Sequence, residues 1–202
     1  MTEYRLLIDG RLVAGDMTME VVNPANEQVL ARAPRASAAQ LETAVAAAKA
    51  AFPGWAARPI AERRALILSL ADRIEAGAED LARLLTQEQG KPLPEAQAEI
   101  AYTCAFIRHL AGYDLPVKVI EDNETRLVRQ FRKPLGVVAA IIPWNFPVLI
   151  VAFKLPLALL AGNTMVVKPA PTTPLTTLKL GEIMAGLLPA GVVNIITDQN
   201  DL

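Results

Sequence analysis

The segment Leu135-Gly-Val-Val-Ala-Ala-Ile-Ile-Pro-Trp-Asn-Phe-Pro-Val-Leu-Ile-Val-Ala-Phe153 decides the fold. It runs uncharged for about 19 residues, near the length of a membrane-spanning helix. Pro143, Asn145 and Pro147 stand in its middle, where a spanning helix needs unbroken backbone hydrogen bonding. Lys154 then interrupts it. The run is better split in two. Gly136–Ile142 is short, β-branched and apolar on both faces, which predicts a buried parallel strand. Pro143–Pro147 is a loop with proline at each end. Val148–Ala161 has the composition of a helix buried nearly all round, closed by Gly162-Asn163. Thr164–Lys168 predicts a second strand, stopped by Pro169. Leu175–Leu188 predicts an amphipathic helix with Lys179 and Glu182 facing out, and Val192–Ile196 a third strand. The order β-α-β-α-β is that of a parallel sheet with crossover helices.

The rest of the chain reads differently. Tyr4–Val13 predicts a hairpin turning at Asp9-Gly10, and Val21–Ala33 is extended and turn-rich. Ser37 begins a helix with Gln40 completing a capping box; Leu41, Val45, Ala48 and Phe52 are its expected apolar stripe. A second helix follows Pro59, striped by Ile60, Ile67, Leu70 and Ile74. A third runs from Glu79 to a Gly90 cap, and a fourth from Pro94 to about Gly112. Val117–Lys133 predicts a second hairpin turning near Asp122-Asn123.

Composition bounds the function. The 202 residues are 52% hydrophobic and 20% charged, with a formal net charge of −1 and a mean hydropathy of +0.30. That balance excludes a disordered chain and gives no electrostatic footprint for nucleic acid. The single cysteine excludes an internal disulfide, and Met1–Asp9 lacks the pattern of a signal peptide. A reducing, cytoplasmic setting is the expectation.

Several residues are candidates for chemistry. Cys104 and His109 lie five positions apart on one helix, roughly 140° around its axis. They therefore face different ways, and Cys104 joins Ile100, Ile107 and Ala111 on an apolar stripe, which reads as a structural core cysteine rather than a catalytic one. One cysteine and one histidine leave no zinc site. Arg126, Arg129, Arg132 and Lys133 read as a solvated strand or an oligomer contact. The Pro143–Pro147 loop leaves the carboxyl end of the first parallel strand, where open α/β sheets place ligands. Asn145 there offers an amide donor for a developing oxyanion, or caps the helix that follows. Lys168 ends the second strand, where dinucleotide folds meet the adenosine ribose, or is a solvated strand-end lysine. Lys154, flanked by Val151, Ala152, Phe153 and Leu155, if buried needs an acidic partner, loses its proton or reaches out to water, and no such partner is near in sequence.

Taken together, Pro134-Leu-Gly-Val-Val138, Ile141-Ile-Pro-Trp-Asn-Phe-Pro147, Lys154 and Ala161-Gly-Asn-Thr-Met-Val-Val-Lys-Pro169 match one family in order and spacing. So do Asn23-Pro-Ala25, Glu88-Gln-Gly-Lys-Pro92 and Pro189-Ala-Gly-Val-Val-Asn194. The chain resembles the NAD(P)-dependent aldehyde dehydrogenase superfamily over nearly all its length. The resemblance implies an α/β fold: amino-terminal helices and hairpins plus an incomplete, Rossmann-like parallel-sheet dinucleotide-binding domain. It implies residues 1–116 as the amino-terminal helical and hairpin part, 117–133 as an oligomerisation hairpin, and 134–202 as the first β-α-β-α-β of the sheet.

The roles it implies are an oxyanion-hole amide at Asn145, a charge relay at Lys154, and a cofactor and aldehyde tunnel lined by Ile141, Pro143 and Trp144. Lys168, with Ala170 and Pro171 beside it, matches the ribose-binding segment. The expected cofactor is NAD or NADP, and the expected partners are a small-molecule aldehyde and further copies of the chain. No metal, nucleic acid or membrane partner is expected. Pro171 stands where the family often has a glutamate, which makes NADP more compatible, and Asp198 stands where many members have glycine. The family's catalytic cysteine, base glutamate and glycine-serine loop lie beyond the equivalent of Leu202. The expectation is therefore an aldehyde-oxidising enzyme's amino-terminal part, working through a cysteine thiohemiacetal and inactive alone. The alternative is a non-catalytic nucleotide-binding or oligomer-forming fragment.

Overall fold

A computed structural model describes residues 3–199; residues 1–2 and 200–202 of the outermost segments lie outside the described residues. The chain opens with β1 (Leu6–Ile8) and β2 (Arg11–Val13), antiparallel across Asp9 and Gly10, both at positive φ. The stretch expected only to be extended is a separate hairpin of β3 (Met17–Asn23) and β4 (Gln28–Arg35). Four helices follow: α1 (Ala38–Ala57), α2 (Ile60–Ala76), α3 (Ala78–Gln89) and α4 (Leu93–Ala111). β5 (Lys118–Asp122) and β6 (Leu127–Gln130) form the second predicted hairpin. Then come β7 (Val137–Ile141), α5 (Leu149–Leu160), β8 (Thr164–Lys168), α6 (Leu175–Met184) and β9 (Val193–Ile195).

The main sheet has the order β2-β1-β9-β8-β7. β7, β8 and β9 are parallel, as predicted, and β1 joins them antiparallel through Leu7 opposite Ile195. The first hairpin therefore completes the sheet that the last strands begin. Helix α5 packs on β7 and β8, α6 packs on β9 and β1, and both meet α2. Helices α2, α3 and α4 pack over them, and α1 packs on β8 and β9. No helix among the described residues is long and apolar enough to cross a membrane.

Three expectations about burial are corrected. The buried face of α1 is Ala44, Ala48 and Trp55, while Leu41 and Val45 are exposed and Phe52 is half-buried. Small residues allow the helix to lie directly on the sheet: the Thr164 hydroxyl donates to the Ala48 carbonyl at 2.8 Å. A Cβ on Gly191, held at φ +76°, would meet the Ala47 carbonyl oxygen at 2.5 Å. The strand β7 is not covered on both faces; it is the edge of the sheet, and Ile141 is 72% exposed. Nor is α5 buried all round. It buries Val151, Ala152, Leu155 and Leu159, but Phe153, Lys154 and Leu157 face outward. The apolar run thus builds an outer surface as well as a core.

The carboxyl end of α5 is closed by residues remote in sequence. Arg63 is buried with no carboxylate partner among the described residues. Its guanidinium donates to the carbonyls of Leu160 (3.1 Å), Ala56 (3.2 Å) and Arg58, and Trp55 Nε1 donates to Leu159 at 3.0 Å. Leaving such carbonyls unpaired in the interior costs roughly 1–3 kcal/mol each. Arg63→Met is expected to lower the unfolding free energy by about 3 kcal/mol in urea titration. Arg32→Met, which removes an exposed pair with Glu20, should leave the midpoint nearly unchanged.

Candidate functional site

The Pro143–Pro147 loop connects the carboxyl end of β7 to α5, and its geometry is set by residues on α4 and before it. Helix α5 has no local side-chain cap. Glu99 of α4 supplies one: its Oε1 accepts the amides of Val148 at 3.0 Å and Leu149 at 3.1 Å. Its other oxygen pairs with the Lys91 ammonium, and both side chains are almost fully buried. Lys91 also donates to the main-chain carbonyl of Asn145 at 3.0 Å and lies 4.1 Å from the centre of the Phe146 ring. The loop is therefore tied at its carbonyl and at the amides that follow it.

Helix α6 is capped by the same device. Glu88 of α3, fully buried, accepts the amides of Leu175 at 2.7 Å and Thr176 at 2.9 Å. Between these carboxylates Gly90 ends α3 in the left-handed conformation, φ +89°. A Cβ there would meet the Pro24 ring at 2.7 Å. Asn23-Pro-Ala25 and Glu88-Gln-Gly-Lys-Pro92 are thus two sides of one contact. Neither helix start is open to a phosphate.

The expected site residues fall at one end of the sheet. Asn145 is exposed, and its side chain bonds to no other described residue. The alternative that Asn145 caps α5 is corrected, because Glu99 holds those amides. Trp144 and Pro143 are exposed beside it, and Ile141 closes β7. Lys168 ends β8 half-buried, its carbonyl accepting the Ile142 amide at 2.9 Å. Ala170 and Pro171, also half-buried, follow. Trp144, Pro171, Thr173, Glu88, Val22 and Pro24 line a cleft of about 800 Å³.

Other candidates lie elsewhere. Lys154 is exposed and makes no ion pair with a described residue, so the burial that would call for an acidic partner does not arise. Cys104 is buried, and burial pushes its thiol up. His109 stacks edge-on against Tyr113. Arg126 pairs with Glu121 within the β5–β6 hairpin, and Asp198 with Arg35 at 3.2 Å. No cluster of metal ligands occurs among the described residues.

Sequence reasoning quoted Glu88 and Lys91 without a role and passed over Glu99. A signal was present. Glu99 sits in phase with the buried stripe Ala96, Ile100, Thr103 and Ile107, and Glu88 follows Leu81 and Leu85 on theirs. A carboxylate on an apolar stripe needs donors from elsewhere.

Burial pushes the Glu88 carboxyl up to about 7 from 4.5, with Glu99 adding repulsion and the amides of Thr176 and Leu175 opposing. The native state thus holds this proton more tightly than the unfolded chain. As pH rises from about 4.5 to about 7, this group's contribution to stability falls, and above that it is constant. Glu88→Gln should flatten that fall, on the order of a few kcal/mol, in urea unfolding followed across this range. An unchanged slope would contradict the assignment.

The sequence pattern of the aldehyde dehydrogenase family matches residues 12–202. The mitochondrial aldehyde dehydrogenase of Leishmania tarentolae is 41% identical over 96% of this chain and 40% of its own length. The phenylacetaldehyde dehydrogenase of Pseudomonas fluorescens is 38% identical over 98% of this chain and 42% of its own. The NAD+ complex of aldehyde dehydrogenase from Bacillus cereus superposes with a TM-score of 0.94 at 37% identity, covering 98% of this chain and 42% of that one. The chain spans about 40% of the length of these curated relatives. With the match running through both capped helices and the loop between β7 and α5, the chain belongs to the aldehyde dehydrogenase family.

Proposed function

We propose that this chain is the amino-terminal part of an enzyme that oxidises an aldehyde to a carboxylic acid with NAD+ or NADP+. The observation that carries the reading is the Pro143–Pro147 loop. Its backbone is fixed through Lys91 and Glu99 while the Asn145 side chain is left exposed and unpaired among the described residues. An amide held in that way suits a charge that develops only during reaction. When a thiolate adds to an aldehyde carbon, the carbonyl oxygen gains negative charge, and Asn145 Nδ2 donates a hydrogen bond to it. The thiolate itself comes from outside these residues, because Cys104 is the only cysteine of the chain and is buried. The relay role of Lys154 is retained as part of this proposal, with its ammonium reaching a carboxylate outside the chain.

The residues fit the adenosine half of a dinucleotide. Three parallel strands end together, Lys168 offers an ammonium for ribose hydroxyls, and Ile141, Pro143 and Trp144 present exposed apolar faces. Bound here, the dinucleotide supplies a hydride acceptor. Pro171 adds no carboxylate that would repel a 2′-phosphate, which supports use of NADP. Glu88 and Glu99 seal the described helix starts, so pyrophosphate is held by groups outside this chain. The β5–β6 hairpin, with Val119, Ile120 and Leu127 each about half exposed, is proposed as the contact between copies.

The test is direct. The purified 202-residue chain should produce no NAD(P)H from aldehyde and dinucleotide, and Cys104→Ala should change nothing. Both dinucleotides should quench Trp144 fluorescence, and Lys168→Ala should weaken that binding about tenfold. Protein-dependent NAD(P)H production, or binding indifferent to Lys168, would contradict the reading.

A further inference from the structure

We propose that Lys91 is a positioning residue for Asn145, braced by Glu99, and that this ion pair sets the aim of the Asn145 amide; the inference rests on the oxyanion role proposed above. Three contacts meet on one buried ammonium: the Glu99 carboxylate, the Asn145 carbonyl at 3.0 Å, and the Phe146 ring at 4.1 Å. Helix capping does not explain them. The amides of Val148 and Leu149 are satisfied by Glu99 Oε1 alone, and Lys91 touches neither.

What Lys91 adds is a fixed orientation of the peptide plane after Asn145. The carbonyl of that residue points inward to the ammonium, and its side chain is left to face outward, exposed. An exposed asparagine in a loop loses directional force when its backbone rocks, and a donor misplaced by about 1 Å can cost about a hundredfold in rate. Glu99 holds both sides of the device. One oxygen fixes where α5 begins and the other fixes the ammonium, so the distance from the helix start to the Asn145 carbonyl is set by a single carboxylate.

The test uses the 15N-labelled 202-residue chain and two substitutions. Lys91→Met removes the cation, while Glu99→Gln keeps an acceptor for the α5 amides and removes the brace. In the native chain the Phe146 backbone amide, which shares a peptide plane with the Asn145 carbonyl, should have an order parameter of about 0.85, falling below about 0.6 in either variant. The β8 amides of Val166 and Val167 should stay rigid. An unchanged Phe146 order parameter in a folded Lys91→Met would overturn the proposal; should that variant not fold, Glu99→Gln decides by the same criterion. In a full-length enzyme with the proposed activity, Lys91→Met should lower kcat about tenfold or more with the KM for dinucleotide unchanged, and a change confined to KM would also overturn it. The order measurement needs no catalysis, so failure of the brace and failure of the proposed activity give different results.

Discussion

Helices α5 and α6 both begin inside the protein, where their first amides are out of reach of water. That constraint organises the rest of the structure. The unpaired amides at a helix start must find acceptors, and the residues around these starts are Val148, Leu149, Leu175 and Thr176, flanked by prolines and apolar side chains. The acceptors come instead from the overlying helical layer. Glu99 and Glu88 each accept two amides, so α3 and α4 are locked over the crossover helices by hydrogen bonds as well as by apolar packing. A charged acceptor at a helix start also complements the positive end of its dipole.

The other end of α5 is treated in the opposite sense. Arg63 and Trp55 donate to its last carbonyls, so a helix with one charged residue of its own is bracketed by an anion at its start and a cation at its end. A rigid α5 is useful because the Asn145 loop is its immediate predecessor. The same carboxylate that starts the helix also pairs with the ammonium beneath the loop. Stability and the placement of the candidate site therefore share one group. The buried Glu88 and Glu99 lie close enough for Glu99 to raise the Glu88 carboxyl.

Much of this was legible in the sequence. The strands Gly136–Ile142 and Thr164–Lys168 and the proline-bounded loop between the first strand and α5 were readable because their signals are local: β-branched runs, breakers and turn residues. The Ser37–Gln40 capping box was readable for the same reason and is present. What failed was non-local. Edge and centre strands read alike, so β7 was expected to be covered on both faces. The α1 stripe was read as Leu41, Val45, Ala48 and Phe52; Ala48 is buried, but close approach to the sheet selects Ala44 beside it and leaves Leu41 and Val45 exposed. Whether Lys154 is buried was left open, because apolar neighbours do not reveal which side of a helix lacks a cover. Lys91 and Glu99 could be quoted or passed over, but a bond spanning the 54 positions from Lys91 to Asn145 leaves no trace in the spacing of either.

The central claim is that buried carboxylates, and not local caps or solvent, hold the starts of α5 and α6. Native-state hydrogen exchange of the Val148, Leu149, Leu175 and Thr176 amides tests it most directly. The account predicts that all four exchange as slowly as the β8 amides, through global unfolding. Exchange of these amides at the rate of the exposed β5–β6 hairpin would contradict it.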